Sequence, residues 1–223
     1  MTTRTIEITK QDFESKSELL EYDYEFLSKL EGMFDHSEGG LFNWRTAENM
    51  VHQLKFHKKY LQKIQPKYIL EIGTFKGFYS YVVKKEIPEV KVYTFGINEE
   101  SQLCVDAINE LYGENFITFF PGDSLETLTS FDNPDDIPFD MAWVDGGHSY
   151  ECAISDLVNC GKLGIENILI DDCDMGQVTA ALRDFCNMVF SDNENDYSYS
   201  IKDYSPNERM ITYLSREKIY ENI

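Results

Sequence analysis

From residue 67 onward, five short apolar runs alternate with longer amphipathic segments, and this rhythm limits the possible folds more than any other property of the chain. The runs lie at 67–72, 91–96, 116–120, 139–144 and 167–171, with helical segments at about 77–86, 99–112, 124–130, 150–162 and 175–190. Apolar runs of this length fit strands covered on both faces, and an intervening helix returns the chain for parallel pairing by a right-handed crossover. The rhythm breaks at the end. Residues 197–203 and 210–215 read as two strands joined by a loop containing Ser205-Pro-Asn, with no helix between them. The expected architecture is α/β: a doubly wound, seven-stranded, mostly parallel sheet closed by an antiparallel C-terminal hairpin.

The part ahead of the sheet reads as a helical N-terminal extension, residues 1–64, preceding a sheet domain at 65–223. Residues 1–16 are polar without periodicity, and an edge strand or a disordered arm both fit. From Ser17, the positions Leu19, Leu20, Tyr24, Phe26, Leu27 and Leu30 predict a helix ended by Gly32, and a Gly39-Gly40 loop follows. A second helix is predicted from about Thr46, a plausible N-cap, to Ile64, with Met50, Leu54, Phe56, Tyr60 and Leu61 on its apolar stripe.

Forty acidic against 20 basic residues give a formal charge of −20. Such a surface repels phosphate backbones and anionic lipid, so neither nucleic acid nor a membrane is an expected partner. The basic cluster Lys55-Phe-His-Lys-Lys59 reads as the solvated face of a helix. No apolar run reaches the roughly 18–20 residues that span a bilayer, and no secretory signal precedes the fold, so the expected location is cytoplasmic. The five cysteines form no C-x-x-C pair and are expected to be reduced packing residues.

Ligands of a doubly wound sheet bind at the carboxyl ends of its strands, where the winding reverses. After the first strand stands Tyr68-Ile-Leu-Glu-Ile-Gly-Thr-Phe-Lys-Gly77, a buried strand entering a glycine turn and a helix. Free N–H groups at such a helix start can hold a small anionic group, and the spacing is not the G-x-G-x-x-G of dinucleotide sites. The segment resembles motif I of the class I S-adenosylmethionine-dependent methyltransferases, whose sheets also end in a reversed hairpin. The resemblance spans about residues 45–215 and implies a Rossmann-like methyltransferase fold with S-adenosylmethionine as cofactor. Glu71, Gly73, Thr74 and Gly77 would line its methionine end. After the second strand, Val92-Tyr-Thr-Phe-Gly-Ile-Asn98 puts Gly96 where the family carries a ribose-binding acid. Asn98, Glu99 or Glu100 would reach the ribose from a longer turn; alternatively, the two glutamates only favour a helix start. After the third strand, Asp123 and Ser124 match the adenine contact, and an N-cap explains the same residues.

The fourth strand runs into Asp145-Gly-Gly-His148, and the fifth ends at Asp171-Asp172. Neighbouring strands lie about 4.8 Å apart, so these acids should meet, and like charges that close call for a cation or a proton. The alternative is an ordinary strand end with caps and a histidine bonded into its loop. The pattern resembles the metal-dependent O-methyltransferases that act on sugar hydroxyls of natural products (macrocin O-methyltransferase-like). That resemblance implies Asp145, Asp171 and Asp172 as ligands of a hard divalent ion such as Mg²⁺, Asp145 also near the cofactor, and His148 as general base. Trp143 and Tyr150 are read as packing residues. The implied reaction is methyl transfer to a hydroxyl oxygen of a small-molecule acceptor, by a protein for which the family allows a homodimer. Two rivals stand beside it: a degenerate relative without catalysis, consistent with Gly96, and a nucleotide-dependent oxidoreductase.

Overall fold

A computed structural model describes residues 9–33, 47–191, 197–204 and 211–218. The Gly39-Gly40 loop, the Thr46 cap, the acidic segment 192–196 and the Ser205-Pro-Asn loop lie outside the described residues.

One seven-stranded sheet organises the chain, in the order β3-β2-β1-β4-β5-β7-β6. Its strands are β1 (Tyr68–Ile72), β2 (Lys91–Gly96), β3 (Ile117–Pro121), β4 (Met141–Val144), β5 (Asn167–Ile170), β6 (Tyr197–Tyr204) and β7 (Ile211–Lys218). The first five pair in parallel, and β7 runs antiparallel between β5 and β6. The chain winds outward from β1 through β2 to β3, then returns to start β4 on the other side of β1. That reversal opens a crevice above the ends of β1 and β4. The predicted doubly wound sheet and its terminal hairpin are both present, with strand ends shifted by up to three residues.

Ahead of the sheet come α1 (Lys10–Glu14), α2 (Tyr24–Glu31) and α3 (Ala47–Ile64). The crossovers carry α4 (Phe78–Glu86), α5 (Ser101–Tyr112), α6 (Ser124–Thr127), α7 (Tyr150–Lys162) and α8 (Gly176–Ser191). Side chains on a strand point alternately to its two faces. In β1, Ile69 therefore joins the core built with α1 to α5, while Leu70 and Ile72 join the core built with α7 and α8. Glu71 falls on the Ile69 side and is buried there, as is its register partner Trp143.

The N-terminal region differs from its sequence-based expectation. Residues 10–14 form α1, held by a reciprocal cap in which Thr9 Oγ1 accepts from the Asp12 amide and the Asp12 carboxylate accepts from the Thr9 amide. Phe13 is buried, with its ring edge against Tyr24. A five-residue helix is too short to show a hydrophobic period, which is why the segment read as featureless. The next helix starts at Tyr24 rather than Ser17, because Asp23 caps it by accepting from the Phe26 amide.

Candidate active site

A cavity of about 470 Å³ lies above the reversal point. The glycine turn, the ends of β2, β3 and β4, and the inner faces of α3 and α4 all contribute to its wall. Of the residues expected to hold a cofactor, Glu71, Gly73, Thr74, Asn98, Asp123, Ser124 and Asp145 line it.

Gly77 does not. It starts α4 in the left-handed region, at φ 71°, and a Cβ there would come 2.7 Å from Ile108 Cδ1. The requirement for glycine at this position is therefore helix packing. Gly73 is fixed by the site itself: at φ 103° a Cβ would lie 1.9 Å from the Asp145 carbonyl oxygen. The ends of β1 and β4 thus approach as closely as bare backbone allows. The turn was expected to offer free amides to an anion. Instead, the Gly73 and Thr74 amides donate to the Phe95 carbonyl and the Gly77 amide donates to the Thr74 carbonyl. These three donors are committed inside the fold.

Gly96, in the place expected for an acid, has a steric explanation. A Cβ there would sit 2.7 Å from Thr74 Oγ1 and 2.9 Å from Thr74 Cβ. Thr74 is itself locked by a 2.6 Å hydroxyl contact with Thr94. The first polar side chain beyond β2 to reach the cavity is Asn98; Glu99 and Glu100 are exposed and do not line it. At β3, Asp123 caps α6 by accepting from the Leu125 amide and also borders the cavity, so the cap and a place in the cavity wall fall to one residue.

Glu71 is 1% exposed and accepts a 2.6 Å hydrogen bond from Ser80. Burial raises its carboxyl to about 7, against the partly offsetting hydroxyls of Ser80 and Thr94.

The acids beyond β4 and β5 converge, but not as the expected trio. Asp145, His148 and Asp172 each bring a ligand atom within 4.8 Å of the others. His148 Nε2 lies 3.0 Å from Asp172 Oδ2. Asp172 turns towards the histidine because its backbone is left-handed, at φ 53°, a conformation that aspartate tolerates better than most residues. Asp171 points elsewhere. One of its oxygens accepts from Gln53 of α3 and the other from the Asp172 amide. His148 therefore takes the place that Asp171 was expected to fill. Two carboxylates and an imidazole are a donor set that first-row divalent ions accept, so the residues fit a cation, though less specifically Mg²⁺, which prefers oxygen throughout.

No motif along the chain marks α3 as part of the site. Gln53, Leu54 and His57 form one wall of the cavity. Trp143, read as a packing residue, is buried but also lines the cavity, with Tyr79 stacked on it at 5.2 Å. Tyr150 is anchored outside the cavity by donating from its hydroxyl to Asp184.

Residues 70–173 match a family of methyltransferase domains. The match covers less than half of the chain, and the sheet and its crevice share their fold with solved methyltransferases. Among solved structures, the chain is similar to an O-methyltransferase from Bacillus cereus in complex with SAH, at 17% identity over 91% of this chain and 96% of that one, with a TM-score of 0.64. It is similar also to the O-methyltransferase TomG of Streptomyces achromogenes, involved in tomaymycin synthesis and solved with SAM, at 18% identity over 88% and 92%, TM-score 0.63. A third is the SAH-bound methyltransferase PaMTH1 of Podospora anserina, at 14% identity over 86% of each chain, TM-score 0.60. No curated protein matches the chain in sequence. Among the described residues, no helix is long and apolar enough to cross a membrane.

Proposed function

We propose that this protein transfers a methyl group from S-adenosylmethionine to a hydroxyl oxygen of a small molecule. The observation carrying the proposal is that Gly73, Asn98, Asp123 and Asp145, drawn from four separate strand ends, border one cavity with the His148–Asp172 pair beside it. The cavity volume lies within the usual range for small-molecule sites. Bound S-adenosylmethionine supplies an electrophilic methyl on a sulfonium. The Gly73-Thr74 turn borders its amino-acid arm, the Asn98 amide meets the ribose, and Asp123 with Ser124 meets the adenine edge.

A hydroxyl attacks only as its proton leaves. His148, half exposed and oriented by Asp172, is placed to accept that proton, in the manner of a general base held by a carboxylate. Asp145 and Asp172, with His148, are also the residues that would hold a divalent ion, which would lower the hydroxyl's pKa. The acceptor is neutral or cationic. Glu71, Asp123 and Asp145 border the cavity, while Lys76, the lysine in its wall, is tied to Glu31.

Differential scanning fluorimetry with S-adenosylhomocysteine tests the donor, since a ligand at 100 times its Kd stabilises by about 2.7 kcal/mol. The melting temperature should rise with it and not with NAD. A turnover assay with neutral polyol or phenol acceptors, with and without EDTA, tests the rest. His148→Ala should lower kcat by about 10²–10⁴-fold. Loss of activity on chelation, restored by a divalent ion, would assign the trio to a metal. Full activity in EDTA together with full activity of His148→Ala would remove both roles.

A further inference from the structure

Two adjacent acids follow β5, and only one of them joins the cluster that fits a cation. The pairing of β4 with β5 sets Val144 opposite Ile170, and the ladder runs one step further, with the Asp171 amide donating to the Val144 carbonyl at 3.0 Å. Asp171 therefore stands beside Asp145, one strand spacing away, about 4.8 Å between backbones. Both acids face α3: Asp145 lines the cavity that α3 walls, and Asp171 meets Gln53 of that helix. Yet the side chains that converge are Asp145, His148 and Asp172, whose ligand atoms lie within 4.8 Å of one another.

Gln53 is what holds Asp171 aside. Its Nε2 donates to Asp171 Oδ2 at 3.3 Å, while Asp171 Oδ1 accepts from the Asp172 amide at 2.8 Å. Both oxygens thus have a donor. Gln53 is 7% and Asp171 3% exposed, so no solvent stands ready to replace the amide. A buried carboxylate oxygen without a donor is costly, and Asp171 stays turned to α3 while Gln53 is there. The difference matters chemically. Two carboxylates and an imidazole suit first-row ions such as Co²⁺, whereas a third carboxylate favours Mg²⁺, which prefers oxygen ligands.

We propose that Gln53 determines which divalent ion the cluster takes, by holding Asp171 out of the ligand set. Without the amide, Asp171 has an oxygen to place, and rotation of its side chain carries it towards its neighbour Asp145 as a third carboxylate for the ion. Gln53 is a positioning residue: it touches no ion and acts through Asp171. The inference rests on the reading of Asp145, His148 and Asp172 as a cation site, and adds that α3 sets the chemistry of that site.

Calorimetry on the full chain with Mg²⁺ and with Co²⁺ tests it. A charge acting through space attracts every divalent ion alike, so the ratio of the two affinities reports ligand identity. The wild type should bind Co²⁺ more tightly than Mg²⁺. Gln53→Leu should move the ratio towards Mg²⁺ by about tenfold or more, the scale on which residues behind a ligand tune a metal site. Asp171→Asn alone should lower both affinities in proportion and leave the ratio unchanged. Combined with Gln53→Leu, it should restore the wild-type ratio. Asp171→Asn keeps an oxygen for Gln53 and decides the question if Gln53→Leu does not fold, since a ratio moved towards Co²⁺ would mean that Asp171 is already a ligand. That result, or a wild-type ratio in Gln53→Leu, overturns the inference and leaves the cation reading standing. If neither ion binds any of these proteins, the cation reading falls and the inference with it, while S-adenosylhomocysteine titrated into the same samples tests the donor reading separately.

Discussion

Under the proposed function Asn98 meets the ribose with an amide, where a carboxylate would accept both hydroxyls of a vicinal diol. Hydrogen bonds to an ionised acceptor are roughly twice as strong as neutral ones. Asn98→Asp should therefore tighten S-adenosylhomocysteine by about 1 kcal/mol, or some fivefold, measured by calorimetry. The same acid placed at Gly96 should do the reverse. Its Cβ would strike Thr74, whose hydroxyl is fixed by Thr94, and overpacking of this kind costs about 1–3 kcal/mol. A chemical melt of Gly96→Asp checks that loss. If Gly96→Asp binds the nucleoside more tightly than Asn98→Asp, the ribose position is misplaced by two residues. The sequence pattern marked the missing acid at Gly96 because it counts along the strand. It has no record of Thr74 lying across the turn.

The glycine turn is tied to the N-terminal helices by one buried cation. Lys76, 3% exposed, reaches back to the carbonyl and carboxylate of Glu31, the last residue of α2. Cys104 of α5 adds a weak contact to the Leu30 carbonyl. The helices ahead of the sheet therefore meet the glycine turn directly, and Leu27, Leu30 and Leu54 share a core with Val82 and Trp143. Glu31→Gln should destabilise the protein by about 1–3 kcal/mol in urea. It replaces the charged Glu31 acceptor of a buried ammonium with a neutral one, and removing one partner of a buried pair costs more than replacing both. Lys76→Met combined with Glu31→Gln should recover part of the loss. If Glu31→Gln melts like the wild type, the ion pair does not hold α2 to the turn. Lys76 also illustrates what could not be read along the chain: its position in a glycine turn is obvious, but its partner lies 45 residues earlier.

Three buried groups link the stability of the whole molecule to pH. Glu71 and Asp156 are raised by burial to about 7, from ordinary values of 4.5 and 3.8. No hydrogen bond of good geometry reaches either Asp156 oxygen, the nearby Ser124 hydroxyl offsets its burial only in part, and a Cβ on Gly146 would lie 2.9 Å from Oδ2. Above the ordinary values the unfolded chain releases these protons while the folded protein keeps them. Stability from both groups therefore declines as pH rises towards 7, then levels off, at about 1.4 kcal/mol per pH unit per proton. His57 acts in the other direction. Its folded value is lowered from 6.5 to about 3, so its contribution is lost as pH falls below 6.5. Melting curves between pH 5 and 8 should show Asp156→Asn declining less than the wild type and exceeding it at pH 8. Parallel curves would mean that Asp156 keeps an ordinary carboxyl in the folded state.

Strand and helix order, the reversed hairpin, the glycine turn and the acids at the ends of β4 and β5 were all legible along the chain. Each depends on local periodicity or on a residue type that a turn requires. Which side chains then meet was not legible, because a side chain's direction past a strand end hangs on a single backbone rotation and on neighbours from distant segments. Asp171 and Asp172 are adjacent in sequence. Yet Gln53, 118 residues earlier, draws Asp171 into the interior, and a left-handed backbone swings Asp172 to His148. The α3 wall of the cavity has the same origin: α3 carries His57 against Trp143 and Tyr79 only once the sheet exists to pack on, since burial of the apolar stripe of α3, not its order in the chain, fixes which face turns inward.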